Sequence, residues 1–402
     1  MPGLISRSSK CRIGINGFGR IGRMVLRASL LRSDELEVCA INHTCASIDD
    51  VILLFTHDST HGPLSRLIRD SVDIHGLPNG NLSINGREIA LISERDIREI
   101  DWEALNVDYV AECTGKFRSV DQASTHVTRG RAKKVLISAP SPDAPTFVYK
   151  VNTPMYSPDT GSVVFSNASC TTNCLAPILK VMNEHFGVAQ GFMTTVHAST
   201  QSQHVLDGYS KKDRRAGRSI MGNIIPTSTG AAAAISSVLP ELTGKVTGMS
   251  VRVPTTNVSM VDLTICTETS TSLPEIMAVF QQAAGTVLSG VLSVEEEELV
   301  SSDFLGNGAS AVIDAKASKQ LNDRFFKIIA WYDNEWAYSC RLLDMLVFMA
   351  NADAGIVQPT SEDNQDSVTT KSLVGVQVKE RMAAEIPGRS RFTAQLMPSR
   401  KS

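Results

Sequence analysis

From residue 10 to about residue 140 the apolar positions fall in short runs separated by stretches with helical spacing. Lys10 to Asn16 predicts a strand, Met24 to Leu31 a helix, and Leu36 to Asn42 a second strand. Val107 to Cys113 and Lys134 to Ser138 predict further strands, closed by Thr114-Gly115 and Ala139-Pro140. Strands alternating with helices in this way predict a doubly wound parallel sheet of the α/β class. An apolar run at Val163-Val164-Phe165 then gives way to small polar residues. Leu175, Ile178, Leu179, Met182 and Phe186 follow at three- and four-residue spacing, which predicts a helix whose first turn holds Cys170. Beyond it the pattern changes. Gly191 to Ala198, Val246 to Val253, Val258 to Thr267, Ala309 to Ala315 and Phe325 to Tyr332 read as strands, with one helical stretch at Leu273 to Gly285. That predicts an α+β domain on a largely antiparallel sheet. Ser339 to Met349 is apolar enough for a docked final helix.

Composition narrows the class of partner. At 402 residues the chain can hold two domains, each with its own core. Its 39 basic and 42 acidic residues give a net charge of −3, which offers no electrostatic reason to expect nucleic acid or an anionic membrane. No apolar run approaches membrane-spanning length. Met1 to Lys10 has no apolar segment long enough for a secretory signal, so a cytoplasmic location is expected. The eight cysteines lack paired spacing, which suits reduced thiols. Cys170 and Cys174 share a helix face, but no histidine or cysteine nearby completes a metal set, and no metal is expected.

Two stretches carry candidate chemistry. Cys170 falls where a strand yields to a helix, and free N–H groups with the positive end of the helix dipole favour its thiolate. It can therefore serve as a nucleophile; the alternative is a small buried apolar residue. Gly17-Phe18-Gly19-Arg20-Ile21-Gly22 stands between the first strand and the first helix, with a second strand completing the unit. That context fits a turn that receives a dinucleotide pyrophosphate at a helix N-terminus, against the alternative of a purely structural turn. The second strand ends in Asn42-His43-Thr44, without the acidic residue that usually holds the adenosine ribose and repels a 2′-phosphate. His43 and Thr44 can instead serve NADP as well as NAD, or His43 is a solvated loop residue and NAD binds less tightly.

The segment S-N-A-S-C-T-T-N-C-L-A-P, residues 166 to 177, closely resembles the active-site signature of phosphorylating glyceraldehyde-3-phosphate dehydrogenases. I-N-G-F-G-R-I-G-R, residues 15 to 23, resembles the opening of the same family. The likeness covers roughly residues 10 to 351. It implies a Rossmann dinucleotide-binding domain over 10–167, completed by a C-terminal helix at 335–351, and a catalytic domain over 168–334. It implies Cys170 as nucleophile and His197, in T-T-V-H-A-S-T, as its base. Ser169, Thr171, Thr200, Arg215, Thr229, Gly230 and Arg252 are expected to bind the substrate phosphate and inorganic phosphate, because hydroxyls, backbone N–H groups and arginines suit such anions. Arg95, Thr114, Ser138, Asn334 and Tyr338 are expected to join the glycine turn and His43 at NAD or NADP, with Asn334 holding the nicotinamide amide. The implied reaction is oxidation of glyceraldehyde 3-phosphate through a cysteine thioester to 1,3-bisphosphoglycerate, in glycolysis, by a homotetramer.

Departures from the pattern surround an intact centre. Besides His43 they are Lys116, Tyr209, the basic run Lys211 to Arg218, Ala233 and Ala337. Residues 352–402 lie past the family's usual end, are polar with scattered prolines, and are expected to be disordered. Three other readings stand beside the main one: an erythrose-4-phosphate dehydrogenase, a paralogue with a mainly regulatory or binding role, and an isoform insensitive to thiol-directed inhibitors.

Overall fold

Two sheets organise residues 10–68, 71–211 and 213–356, which are the residues described by the computed structural model. The first runs Ile74–Gly76, Leu82–Ile84, Arg87–Ile92, Leu36–Asn42, Cys11–Asn16, Tyr109–Glu112, Lys134–Ile137, Val164–Ser166. From Arg87–Ile92 onward every neighbouring pair is parallel. Parallel strands are covered on both faces, which explains why these segments read as near-continuous apolar runs. The two short strands at the other edge pair antiparallel, and stretches of three residues are too short to show a period.

The second sheet runs Ile225–Thr227, Val246–Arg252, Val188–His197, Ser259–Thr267, Phe325–Tyr332, Ala311–Asn322, Leu292–Glu295. Four of its six neighbouring pairs are antiparallel. The exceptions are Val246–Arg252 beside Val188–His197, and Leu292–Glu295 beside Ala311–Asn322. One core joins its inner face to the helices Cys170–Phe186, Ala231–Val238 and Leu273–Gly285. The register of Val246–Arg252 on Val188–His197 sets Arg252 opposite His197, so two functional candidates meet because their strands are neighbours.

The last helix, Trp336–Asp353, returns to the first sheet, where Leu342, Leu343, Met345, Leu346 and Met349 share a core with Ile13, Ile15 and Tyr109. It runs two residues past the expected 351. Asp353 there accepts hydrogen bonds from Lys134 at 2.6 Å and from Tyr109 and Tyr156, each at 2.8 Å. The disordered extension expected from residue 352 is therefore corrected for its first residues: 352 and 353 end a helix, because Asp353 meets a lysine and two tyrosines. Residues 357–402 lie outside the described residues.

Candidate active site

Cys170 opens the helix Cys170–Phe186. Ser169 caps it, its hydroxyl accepting the Thr172 N–H at 3.0 Å. The chain enters this turn through Ala168, whose φ of 55° is left-handed for a residue with a side chain. The Tyr338 hydroxyl donates to the Ala168 carbonyl at 3.0 Å and the Ser166 hydroxyl accepts its N–H at 3.1 Å, so both ends of the unusual residue are held. Tyr338 thus reaches the site from the returning helix.

Nε2 of His197 lies 3.6 Å from the Cys170 sulfur. Its Nδ1 lies 2.7 Å from the Ala198 carbonyl oxygen and 2.7 Å from Nη1 of Arg252. One neighbour accepts a proton and the other donates one, so each favours a different tautomer, and Nε2 can either take a proton from sulfur or present one. Burial, reinforced by the charge of Arg252, lowers the His197 pKa to about 4. Burial also raises the Cys170 thiol, against the pull of Arg252 and of the Thr171 side chain and helix N–H groups. The resting pair is thus neutral thiol and neutral imidazole, and the guanidinium beside it favours anion formation at sulfur. Nε of Arg252 is buried without a partner, a donor left for an incoming anion.

The same cleft, about 990 Å³, takes in the Gly-rich turn. A Cβ on Gly22 would lie 2.0 Å from the Gly17 carbonyl oxygen, whereas at Gly19 nothing comes within 4 Å. The turn is closed behind and open in front, a shape that fits a pyrophosphate against the start of the helix Arg20–Ser29. Gly17, Phe18, Gly19, Arg20, Ile21, His43, Arg95, Thr114, Ser138, Asn334 and Tyr338 line the cleft together with Ser169, Cys170, His197, Thr200 and Arg252. Gly22 stands behind the turn. Arg20 contributes mainly backbone, because its guanidinium is engaged by Asp58 and Glu335. Nδ1 of His43 accepts the Cys45 N–H at 3.1 Å, which leaves the Nε2 proton as its free donor. Burial lowers the His43 pKa, so the ring is neutral at neutral pH. Asn334 accepts from the Ser259 hydroxyl at 2.8 Å, which orients its amide.

Four expected phosphate residues do not line this cleft. Thr171 is buried and its hydroxyl pairs with that of Tyr332 at 2.9 Å. Arg215 faces a separate hollow with Asp213, Arg214 and Thr227. Thr229 accepts the Ala231 N–H at 3.2 Å, and Gly230 is the N-cap of the helix Ala231–Val238. Sequence reasoning passed over Asn16, Asn42 and Glu94, which do line the cleft. The only signal for them was position at or just past the C-terminal end of a parallel strand, where such folds bind ligands. Among the described residues no cluster of His, Cys, Asp and Glu could hold a metal ion, and no helix is long and apolar enough to cross a membrane.

Comparison with known proteins agrees with this layout. Residues 11–120 match the family model "Glyceraldehyde 3-phosphate dehydrogenase, NAD binding domain" and residues 169–334 match its "C-terminal domain". The chain is 49% identical over 343 residues to glyceraldehyde-3-phosphate dehydrogenase 2 of Mucor circinelloides f. lusitanicus, covering 85% of this chain and 98% of that one. It is 48% identical over 347 residues to the cytosolic glyceraldehyde-3-phosphate dehydrogenase of Chlamydomonas reinhardtii, covering 86% and 99%. A chloroplastic counterpart in Arabidopsis thaliana is 50% identical over 346 residues, covering 86% and 80%.

Proposed function

We propose the following division of labour from one premise: the chain belongs to the glyceraldehyde-3-phosphate dehydrogenase family. It is an NAD-dependent oxidoreductase that oxidises and phosphorylates glyceraldehyde 3-phosphate. Residues 10–167 with the returning helix hold the dinucleotide, and residues 168–334 hold the aldehyde. The observation that carries this reading is the Cys170–His197 pair opening into the same cleft as the Gly-rich turn.

Nε2 of His197 takes the thiol proton as the Cys170 sulfur adds to the aldehyde carbon, then returns it to the oxygen, giving a thiohemiacetal. Arg252 and Thr200 receive the substrate phosphate, Arg252 through its unpartnered Nε. The bound dinucleotide supplies the hydride acceptor. As hydride leaves the carbon, His197 removes the hydroxyl proton and a thioester remains on Cys170. Inorganic phosphate attacks that carbonyl, the acyl phosphate departs, and Cys170 is restored. Arg215, Thr229 and Gly230 are assigned to the attacking phosphate on the family likeness alone. Replacing Cys170 by alanine is expected to abolish phosphate-dependent oxidation and leave NAD binding intact; residual turnover near that of the wild type would refute the mechanism.

The cofactor choice is relaxed toward NADP. A neutral donor at His43 serves a ribose hydroxyl or a 2′-phosphate alike, whereas a carboxylate there repels the phosphate. Initial rates with NAD and NADP test this. His43→Asp is expected to shift the ratio toward NAD by about tenfold, the size of one charged hydrogen bond. A wild-type protein that rejects NADP as firmly as the variant overturns it. The chain works in the cytosol as a homotetramer. Support for assembly comes from Phe192, Val205, Leu206, Tyr209, Met221 and Ile224, all exposed on one sheet and its adjoining loop. A monomer in solution would overturn that part.

A further inference from the structure

Beneath the cleft, where three parallel strands end, lies a buried polar cluster that none of the chemical steps uses. Glu112 is 1% exposed, and four donors converge on its two carboxylate oxygens. Oε1 accepts the Thr114 N–H at 2.8 Å and the Thr114 hydroxyl. Oε2 accepts from Nδ2 of Asn16 and lies 3.1 Å from Nε2 of His126. His126 is fully buried, and its Nδ1 accepts the Trp102 indole N–H at 2.9 Å. An indole nitrogen can only donate, so the imidazole proton sits on Nε2 and points at Glu112. Asn16 in turn accepts from Asn42 at 2.7 Å, and the Asn42 side chain bonds the Glu94 backbone at 2.9 and 2.8 Å. Asn16, Asn42, Glu94 and Thr114 line the cleft, whereas Glu112, His126 and Trp102 do not.

This wiring fixes the chemical character of the cleft floor. The single hydroxyl hydrogen of Thr114 is committed to Glu112, so its oxygen can only accept. One lone pair takes the Lys116 N–H at 3.1 Å, and the other remains for a ligand. The Asn16 amide is held at both ends, so it cannot flip. We propose that Glu112, oriented by His126 and Trp102, is a positioning residue for the cofactor. It makes Thr114 an acceptor-only contact, so this part of the floor selects a hydroxyl or amide of the dinucleotide over an anionic oxygen. The inference rests on the cleft being the dinucleotide site. A carboxylate is needed because glutamine offers one acceptor oxygen, and its NH₂ would face either the Asn16 and His126 donors or those of Thr114.

The test titrates the full-chain protein with NAD by fluorescence quenching and measures phosphate-dependent turnover alongside. Glu112→Gln is expected to raise the NAD Kd and KM about tenfold, the loss of one oriented hydrogen bond, with kcat at saturation and the aldehyde KM changed less than about twofold. Thr114→Val is expected to raise the NAD Kd similarly, Thr114→Ser to bind as the wild type does, and E112Q/T114V to be no weaker than either single variant. A folded E112Q protein with wild-type affinity, or a double variant whose losses add, overturns the proposal. Should E112Q fail to fold, T114V carries the test, and wild-type affinity there overturns it equally. A wild-type protein that does not bind NAD overturns the functional reading first and this inference with it.

Discussion

Cys170 owes its character to three neighbours rather than to its own side chain. The helix start and Arg252 favour the anion, burial opposes it, and His197 stands ready to hold the proton. A neutral buried imidazole has a consequence for stability. The His197 pKa is about 4 when folded against 6.5 in an open chain, so between those values the unfolded state binds the extra proton. Stability conferred by keeping this ring neutral is present above pH 6.5 and is lost as pH falls toward 4, by up to about 3 kcal/mol. Urea midpoints measured from pH 7 to 4.5 should fall more steeply for the wild type than for His197→Asn. At this scale Cys170, His197 and the glycines were legible as candidates that meet in one cleft, because they sit in uninterrupted local motifs. The sequence was silent about Glu112 and His126, whose meaning lies in side chains fourteen positions apart. It could not show that Arg20, which lines the cleft, has its guanidinium engaged by Asp58 and Glu335.

Among the elements, the returning helix depends most on distant partners. Its apolar stripe was legible, since helical periodicity is local. Its end was not, because Asp353 gains its reason from Lys134, 219 positions earlier. Lys134 is 8% exposed, so removing its carboxylate partner leaves an ammonium and two tyrosine hydroxyls short of an acceptor in a nearly dry site. Asp353→Ala is expected to lower unfolding free energy by about 3 kcal/mol in a denaturant titration, and Lys134→Met combined with it to recover part of that loss. Turnover should stay unchanged in both, since neither residue lines the cleft. The antiparallel majority of the second sheet was foreseen because its strands follow one another across loops with little intervening helix. Its two parallel pairs were not, because alternation reports which face is buried and says nothing about strand direction.

Across the whole molecule, the two sheets are clasped by charge as well as by apolar contact. His61 is fully buried, 2.8 Å from Asp333, and Asp58, Glu335 and Arg20 surround it. Asn257 joins from the second sheet's side, donating to Asp333 at 2.6 Å. Burial works against a charged ring here, but the hydrogen bonds of Asp333 and Asp58 outweigh it and raise the His61 pKa to about 9. Because the folded value is above the unfolded 6.5, this clasp is fully in force below pH 6.5 and is lost as pH rises through 9. His61→Gln should therefore flatten the decline in stability between pH 7 and 9.5 that the wild type shows in denaturant midpoints. The clasp and the returning helix also bear on how the chain is made. The first sheet is complete in sequence at Ser166, yet the helix that covers it begins only at Trp336. At ribosomal speeds of roughly 5–20 residues per second, that face stays only partly covered, by the earlier helices that carry Met24, Val25, Val51 and Phe55, for about 10–35 s of synthesis. Throughout that interval Ile13, Ile15 and Tyr109 lack the part of their cover that Leu342, Leu343, Met345, Leu346 and Met349 supply, so a nascent chain exposes apolar surface that the finished fold buries.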